Sequence, residues 1–163
     1  LIEPGSGFGT GTHPTTQLCL KWMERHLVEN TDLLDYGCGS GILSIAAHKL
    51  GAKTVLGIDN DYQALRNAER NKSLNSADIN LLHTSDYQNQ TKFDIVIVNI
   101  LLKTIISLKE TLLSSLKPKS KLLLTGILKD QAIELINSFA PEISLNIYDE
   151  QEDWLLFYGE KNN

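Results

Sequence analysis

Three closely spaced glycines and two acids carry the first chemistry in this chain. The run Asp35-Tyr36-Gly37-Cys38-Gly39-Ser40-Gly41 follows a short apolar segment, and Asp59 closes the next one. Glycines at that spacing let a backbone approach a ligand where a Cβ would clash. The helix that follows offers unpaired N–H groups at its start. An acid at the end of the neighbouring strand accepts two hydrogen bonds from ribose hydroxyls. Loop and acid together describe a nucleoside-binding edge. The dinucleotide pattern GxGxxG is not met, because Ile42 stands where its third glycine would be. Asp35, just ahead of the loop, suits a cationic ligand better than a phosphate.

Other candidates lie at other element ends. Asn99 closes the apolar run FDIVIVN. Its side-chain carbonyl accepts a hydrogen bond from an amine and aims that lone pair; the plainer reading is a strand-end residue satisfying a turn. His13 stands beside Pro14 at a helix start, either to take up an amine proton or as a first-turn residue. Ser85-Asp86 follows the third strand and by itself reads as a plain loop. Phe8, in a glycine-rich arm with no regular element to pack into, is expected to cover the ligand. Asp61 rivals Asp59 but reads as the cap of the next helix. His26, His48 and His83 show no metal spacing, and no metal site is expected. Trp154 reads as core.

The elements that must hold these residues alternate in type. Strands are predicted at 33–37, 54–59, 79–84, 93–100 and 121–126, the fourth apolar on both faces and therefore central. Helices are predicted after Pro14, at 42–50, 62–75, 103–116 and 130–139, with Pro118 ending the fourth. The segments 143–150 and 153–161 read as a final β-pair. Such alternation implies right-handed crossovers and an α/β fold: a Rossmann-like, seven-stranded, mostly parallel sheet with helices on both faces and a final antiparallel β-pair. Residues 1–14 are expected to form an arm or strap over the site, and 15–163 the domain itself.

Bulk composition narrows the class. Hydrophobic content of 42% and charged content of 21% are those of an ordinary globular domain. The net charge of −5 and the lack of a Lys/Arg run argue against nucleic-acid binding. No apolar run is long enough to span a membrane, and no signal peptide is visible. Cys19 and Cys38 form no CxxC, which fits two thiols in a reducing cytoplasm. The chain opens on Leu1 without an initiator methionine, which reads as a fragment or processed product.

The pattern DxGxGxG with a trailing acid resembles the S-adenosylmethionine-binding methyltransferases of Rossmann-like type. Asn99-Ile100-Leu101 departs from the Asn/Asp-Pro-Pro-aromatic common among those that modify nitrogen. Gly-Thr-Gly-Thr-His-Pro-Thr-Thr at 9–16, the loop itself, Gly57-Ile58-Asp59, Asn99-Ile100-Leu101 and Thr125-Gly126-Ile127-Leu128 occur in one order. Together they resemble the bacterial methyltransferases of the eleventh large-subunit ribosomal protein, over nearly the whole chain. That resemblance implies methylation of lysine side chains and an N-terminal amine, with S-adenosylhomocysteine as product. It implies cofactor contacts at Thr16, Gly37, Asp59 and Asn99, and a contact to adenine at Ser85-Asp86; the residues add Phe8, Asp35, Gly39 and Gly41, with Asn99 and His13 at the reacting end. It also implies an upstream substrate-recognition domain that this chain lacks. Competing readings are a related lysine methyltransferase with a non-ribosomal substrate, a nicotinamide-dependent oxidoreductase, and a non-catalytic nucleoside-binding module.

Overall fold

The computed structural model describes residues 1–3 and 11–162. Its strands are β1 (Asp32–Tyr36), β2 (Thr54–Asp59), β3 (Asn80–His83), β4 (Phe93–Asn99), β5 (Leu116–Leu128), β6 (Asn146–Gln151) and β7 (Trp154–Glu160). They form one seven-stranded sheet in the order β3-β2-β1-β4-β5-β7-β6. The first five strands are parallel, and β7 runs antiparallel to both of its neighbours. The helices are α1 (Pro14–His26), α2 (Ile42–Lys49), α3 (Tyr62–Leu74), α4 (Leu102–Ser107), α5 (Lys109–Ser114) and α6 (Ala132–Phe139).

The central strand shows how the sequence builds the layers. Side chains alternate across a strand. Ile95 and Ile97 therefore join the core under α1 and α2, with Leu18, Trp22, Met23, Leu43 and Ile45. Val96 and Val98 join the core under α4, α5 and α6, with Ile105, Leu112, Leu135 and Phe139. Trp22 and Met23 are essentially unexposed. Each such side chain contributes about 1.5–3 kcal/mol by burial, enough to hold α1 to the sheet. At the lower rim, Lys117 bridges Asp32 (2.7 Å) and Asp94 (2.9 Å) and pins the starts of β1 and β4 together.

Some boundaries differ from the expectation. The helix predicted at 103–116 is two short helices, α4 and α5. The turn tightens at Leu108, whose N–H is shared between the carbonyls of Thr104 (3.0 Å) and Ile105 (3.2 Å). Pro118 lies past the helix end, as expected, since α5 stops at Ser114, but it is already inside β5. The ladder to β4 runs from Phe93↔Leu116 directly to Ile95↔Lys121, so Pro118 sits in the irregular stretch where no N–H is required of it. The helix predicted from 130 opens as a 3-10 turn over Lys129–Gln131. The strand predicted from 143 starts at Asn146.

Candidate active site at the carboxyl ends of the strands

The sheet places β1 between β2 and β4, and the chain winds outward from there in both directions. In open α/β sheets the crevice at such a reversal, beyond the carboxyl ends of the strands, is where ligands bind. The loop 37–41 follows β1, Asp59 ends β2 and Asn99 ends β4, so all three meet at that crevice.

The loop is fixed from below. The N–H groups of Gly37 and Cys38 both donate to the Ile58 carbonyl, at 2.7 and 2.9 Å. Gly37, Gly39 and Gly41 all have left-handed φ, at 84°, 54° and 79°. Asp59 is held by two backbone amides: Gly39 N–H donates to Oδ2 at 2.8 Å and Asp61 N–H to Oδ1 at 3.0 Å. A carboxylate held on one side keeps acceptor capacity for ribose hydroxyls on the other. Asp61 itself caps α3 by accepting from Gln63 N–H at 2.7 Å.

Two of the loop glycines serve packing within the protein. A Cβ on Gly37 would stand 2.5 Å from Cγ2 of Ile100, and one on Gly41 would stand 3.2 Å from Cβ of Ala68. Their missing side chains admit the residue after Asn99 and the face of α3. Asp35 does not reach the surface. It is 1% exposed and accepts from the Ser44 hydroxyl at 2.6 Å. Burial raises its pKa to about 6; the Ser44 hydrogen bonds oppose that rise, and the charge of Asp59 adds to it. Burial likewise pushes the Cys38 thiol upward, so it is held as a neutral thiol.

Asn99 is positioned from two sides. Its Nδ2 lies 3.5 Å from the Thr16 hydroxyl oxygen, the outer limit of a hydrogen bond. Thr16 is buried in the first turn of α1. That turn is set by His13, the N-cap, whose Nδ1 accepts from Thr15 N–H at 3.3 Å and lies 2.8 Å from the Thr15 hydroxyl. Pro14 takes the first helical position, where no N–H is needed. The His13 ring packs edge-on against Trp154, centroids 5.1 Å apart, and Trp154 is itself half-buried against the core, as expected. From the other side, Gly126 (φ 90°) backs the Ile100 peptide. A Cβ there would stand 2.3 Å from the Ile100 carbonyl oxygen. Gly126 lies in a β-bulge, where the β5–β7 register shifts between Leu124 and Ile127, and Thr125 donates its hydroxyl to the Leu155 carbonyl at 2.8 Å.

Asp86 is exposed in a 3-10 turn just after β3. Beside it, His83 lies stacked on Tyr62 with centroids 4.0 Å apart and planes 3° from parallel. His83 also accepts from Ser85 N–H at 3.2 Å, so it ties the end of β3 to the turn that carries Asp86, a placement that sequence spacing did not suggest. Phe8 lies outside the described residues. Ile100 and Gly126 stood in the quoted motifs without a role, and Ser44 was not singled out; the partners of Ile100 and Gly126 are distant in sequence. Among the described residues no group of His, Cys, Asp or Glu is arranged to hold a metal, and no helix is long and apolar enough to cross a membrane.

A glycine loop, an amide-clamped acid and a strand-end asparagine, on a parallel sheet closed by one reversed strand, define a Rossmann-like fold of the methyltransferase type. The chain belongs to the Ribosomal protein L11 methyltransferase (PrmA) family, whose profile matches residues 1–162. It is 43% identical over 161 residues to the Ribosomal protein L11 methyltransferase of Dechloromonas aromatica (strain RCB), covering 99% of this chain and 54% of that one. It superposes on the ribosomal protein L11 methylase of Lactobacillus delbrueckii subsp. bulgaricus with a TM-score of 0.86 and 34% identity, over 94% of this chain and 81% of the other. A 16S rRNA methyltransferase of T. thermophilus, in complex with AdoMet and guanosine, shares the fold at a TM-score of 0.78 and 20% identity, over 95% of this chain and 45% of that one. The chain spans about half the length of the curated relatives it matches.

Proposed function

We propose that the crevice binds S-adenosylmethionine and serves methyl transfer to protein amines, those of the ribosomal protein for which the family is named. The observation that carries this is the clamped carboxylate of Asp59 on one side of β1, with Asn99 on the other. The donor set fits the ligand. Loop and acid bring carboxylates and backbone groups but no Lys or Arg, which suits a cationic nucleoside without phosphate. When bound, that group supplies an electrophilic methyl on a sulfonium for in-line transfer to a neutral amine.

The chain's own residues then divide the work. Asp59 accepts from the ribose hydroxyls, its orientation preset by Gly39 and Asp61. Asn99 directs its amide nitrogen toward Thr16, which commits its carbonyl oxygen to accept from the substrate amine. Accepting that hydrogen bond fixes where the nitrogen lone pair points. Gly37, Gly41 and Gly126 hold the backbone that carries these groups. Asp35 acts by charge from beneath the loop, and Asp86 offers an acceptor on the base side. His13 enters as the cap that sets Thr15 and Thr16. Its Nδ1 lone pair is engaged there, so the reaction is written without a proton transfer to it. A substrate of this kind places the reaction in the cytoplasm, with S-adenosylhomocysteine as the product.

The test is mass spectrometry of purified ribosomal protein L11 after incubation with S-adenosylmethionine and this chain, alone and joined to the additional sequence that its relatives carry. Mass increments of one methyl group or its multiples on amines are expected. No increment in either format, with folded protein, sinks the proposal.

A further inference from the structure

Helix α3 carries Asn67 and Asn71, and Asn75 caps its C-terminus, each four residues after the last and so on one side of the helix. Residues 1–3 lie along that face. Leu1 nitrogen donates to Asn75 Oδ1 at 2.8 Å, and Asn75 Nδ2 donates back to the Leu1 carbonyl at 2.6 Å. Glu3 N–H donates to Asn71 Oδ1 at 2.8 Å, while Asn71 Nδ2 and Asn67 Nδ2 donate to the Glu3 carbonyl at 3.2 and 3.3 Å. The asparagine side chains grip peptide groups in both directions, as a neighbouring strand would.

Asn71 does one thing more. It is fully buried, and its Nδ2 also donates to the Ser40 carbonyl at 2.9 Å. Ser40 sits between Gly39 and Gly41 in the loop assigned to the nucleoside. An amide nitrogen has two hydrogens, and here each has an acceptor: one on the loop, one on Glu3. The group is planar, so a shift of Ser40 turns the plane that also holds Glu3. Among the described residues, the side chains of Asn67 and Asn75 hydrogen-bond the segment and not the loop. Ala68, against the vacant side of Gly41, gives α3 a second contact with the same loop.

We infer that Asn71 is a positioning residue that couples ligand binding at loop 37–41 to the seating of residues 1–3 on α3. The inference rests on the loop being the nucleoside site. Linkage then requires each event to favour the other by the same factor. S-adenosylhomocysteine is the probe, with affinity read by calorimetry and the Glu3 amide read by hydrogen exchange. In the unsubstituted chain, saturating probe slows Glu3 exchange by about tenfold, the middle of the usual range for coupled sites. Asn71→Leu lowers probe affinity by about tenfold and makes Glu3 exchange indifferent to the probe. Asn75→Ala frees Leu1 yet keeps affinity within about twofold and preserves the slowing at Glu3.

A folded Asn71→Leu protein with unchanged affinity overturns the inference. So does Glu3 exchange that ignores bound probe in the unsubstituted chain, a result that stands even if the variant does not fold. If the unsubstituted chain takes up no probe at all, the functional reading fails first and the coupling with it.

Discussion

Gly126→Ala tests how Asn99 is held. The new Cβ would stand 2.3 Å from the Ile100 carbonyl oxygen, 2.9 Å from its carbonyl carbon and 3.2 Å from its nitrogen. These are backbone atoms, so no rotamer change relieves the contact. The φ of 90° adds a strain of about 1–2 kcal/mol for a residue with a Cβ. Forcing the neighbouring peptide aside adds about 1–3 kcal/mol, as overpacking does elsewhere. The two contributions give a destabilisation of about 2–5 kcal/mol in urea titration. Because the displaced peptide follows Asn99 directly, turnover falls by about 100-fold, the usual cost of misplacing a reacting group by an ångström.

The companion variant separates the mechanism from general damage. In Gly37→Ala the clash is with Cγ2 of the Ile100 side chain, at 2.5 Å. Ile100→Ala removes that atom, so the double variant Gly37→Ala/Ile100→Ala recovers part of the loss. The same change leaves the Ile100 carbonyl in place, so it recovers nothing for Gly126→Ala. A double-mutant cycle reads this difference, which should exceed about 1 kcal/mol for residues in contact. Equal rescue of both glycine variants, or a Gly126→Ala protein within about 0.5 kcal/mol of the parent, refutes the backbone-contact argument.

Other perturbations give separate readings. Asp35 has a folded pKa of about 6 against an ordinary unfolded value near 4, so its contribution to stability is full below about pH 4 and is lost as pH rises through about 6. The loss is about 2–3 kcal/mol, and Asp35→Asn should gain on the parent by that amount between about pH 4 and 7 in urea titrations; parallel curves contradict it. His13→Asn keeps an N-cap and should keep turnover within about threefold, while His13→Ala costs about 1 kcal/mol of stability; a collapse of turnover in His13→Asn restores a proton-transfer role. Asn99→Ala should lower turnover by about 100-fold while changing cofactor affinity by less than about fivefold, and the reverse pattern makes Asn99 chiefly a cofactor contact.

The parts of the fold that were readable share one trait: their signal is local. β1, β2 and β4 each hold a short apolar run buried on both faces, and each was located to within a residue or so on that signal. Asp61 as a cap and Pro14 at a first turn are likewise local patterns. The division of the predicted 103–116 helix depends on one shared hydrogen bond at Leu108, which composition does not encode. The place of Pro118 within β5 depends on a register shift against β4.

At the site, residue types were legible and their partners were not. Nothing near Gly37 or Gly41 in sequence announces Ile100 or Ala68 as the groups filling their vacant sides. Asp35 had a readable signal in retrospect, since an acid inside a strand buried on both faces must itself be buried. The repeated spacing of Asn67, Asn71 and Asn75 was also visible, as one residue type recurring along α3 and at its C-cap. What that stripe holds became clear only when residues 1–3 and Ser40 were found on it.

The central claim is that Asp59 and the loop hold an adenosine carrying a sulfonium. Calorimetric titration of the parent and of Asp59→Ala with S-adenosylmethionine, with NAD as the competitor class, tests it most directly. One site per chain for S-adenosylmethionine, no preference for NAD, and a loss of about 1–3 kcal/mol in Asp59→Ala from missing charge-assisted hydrogen bonds are expected. Preferential NAD binding, or parental affinity in Asp59→Ala, contradicts it.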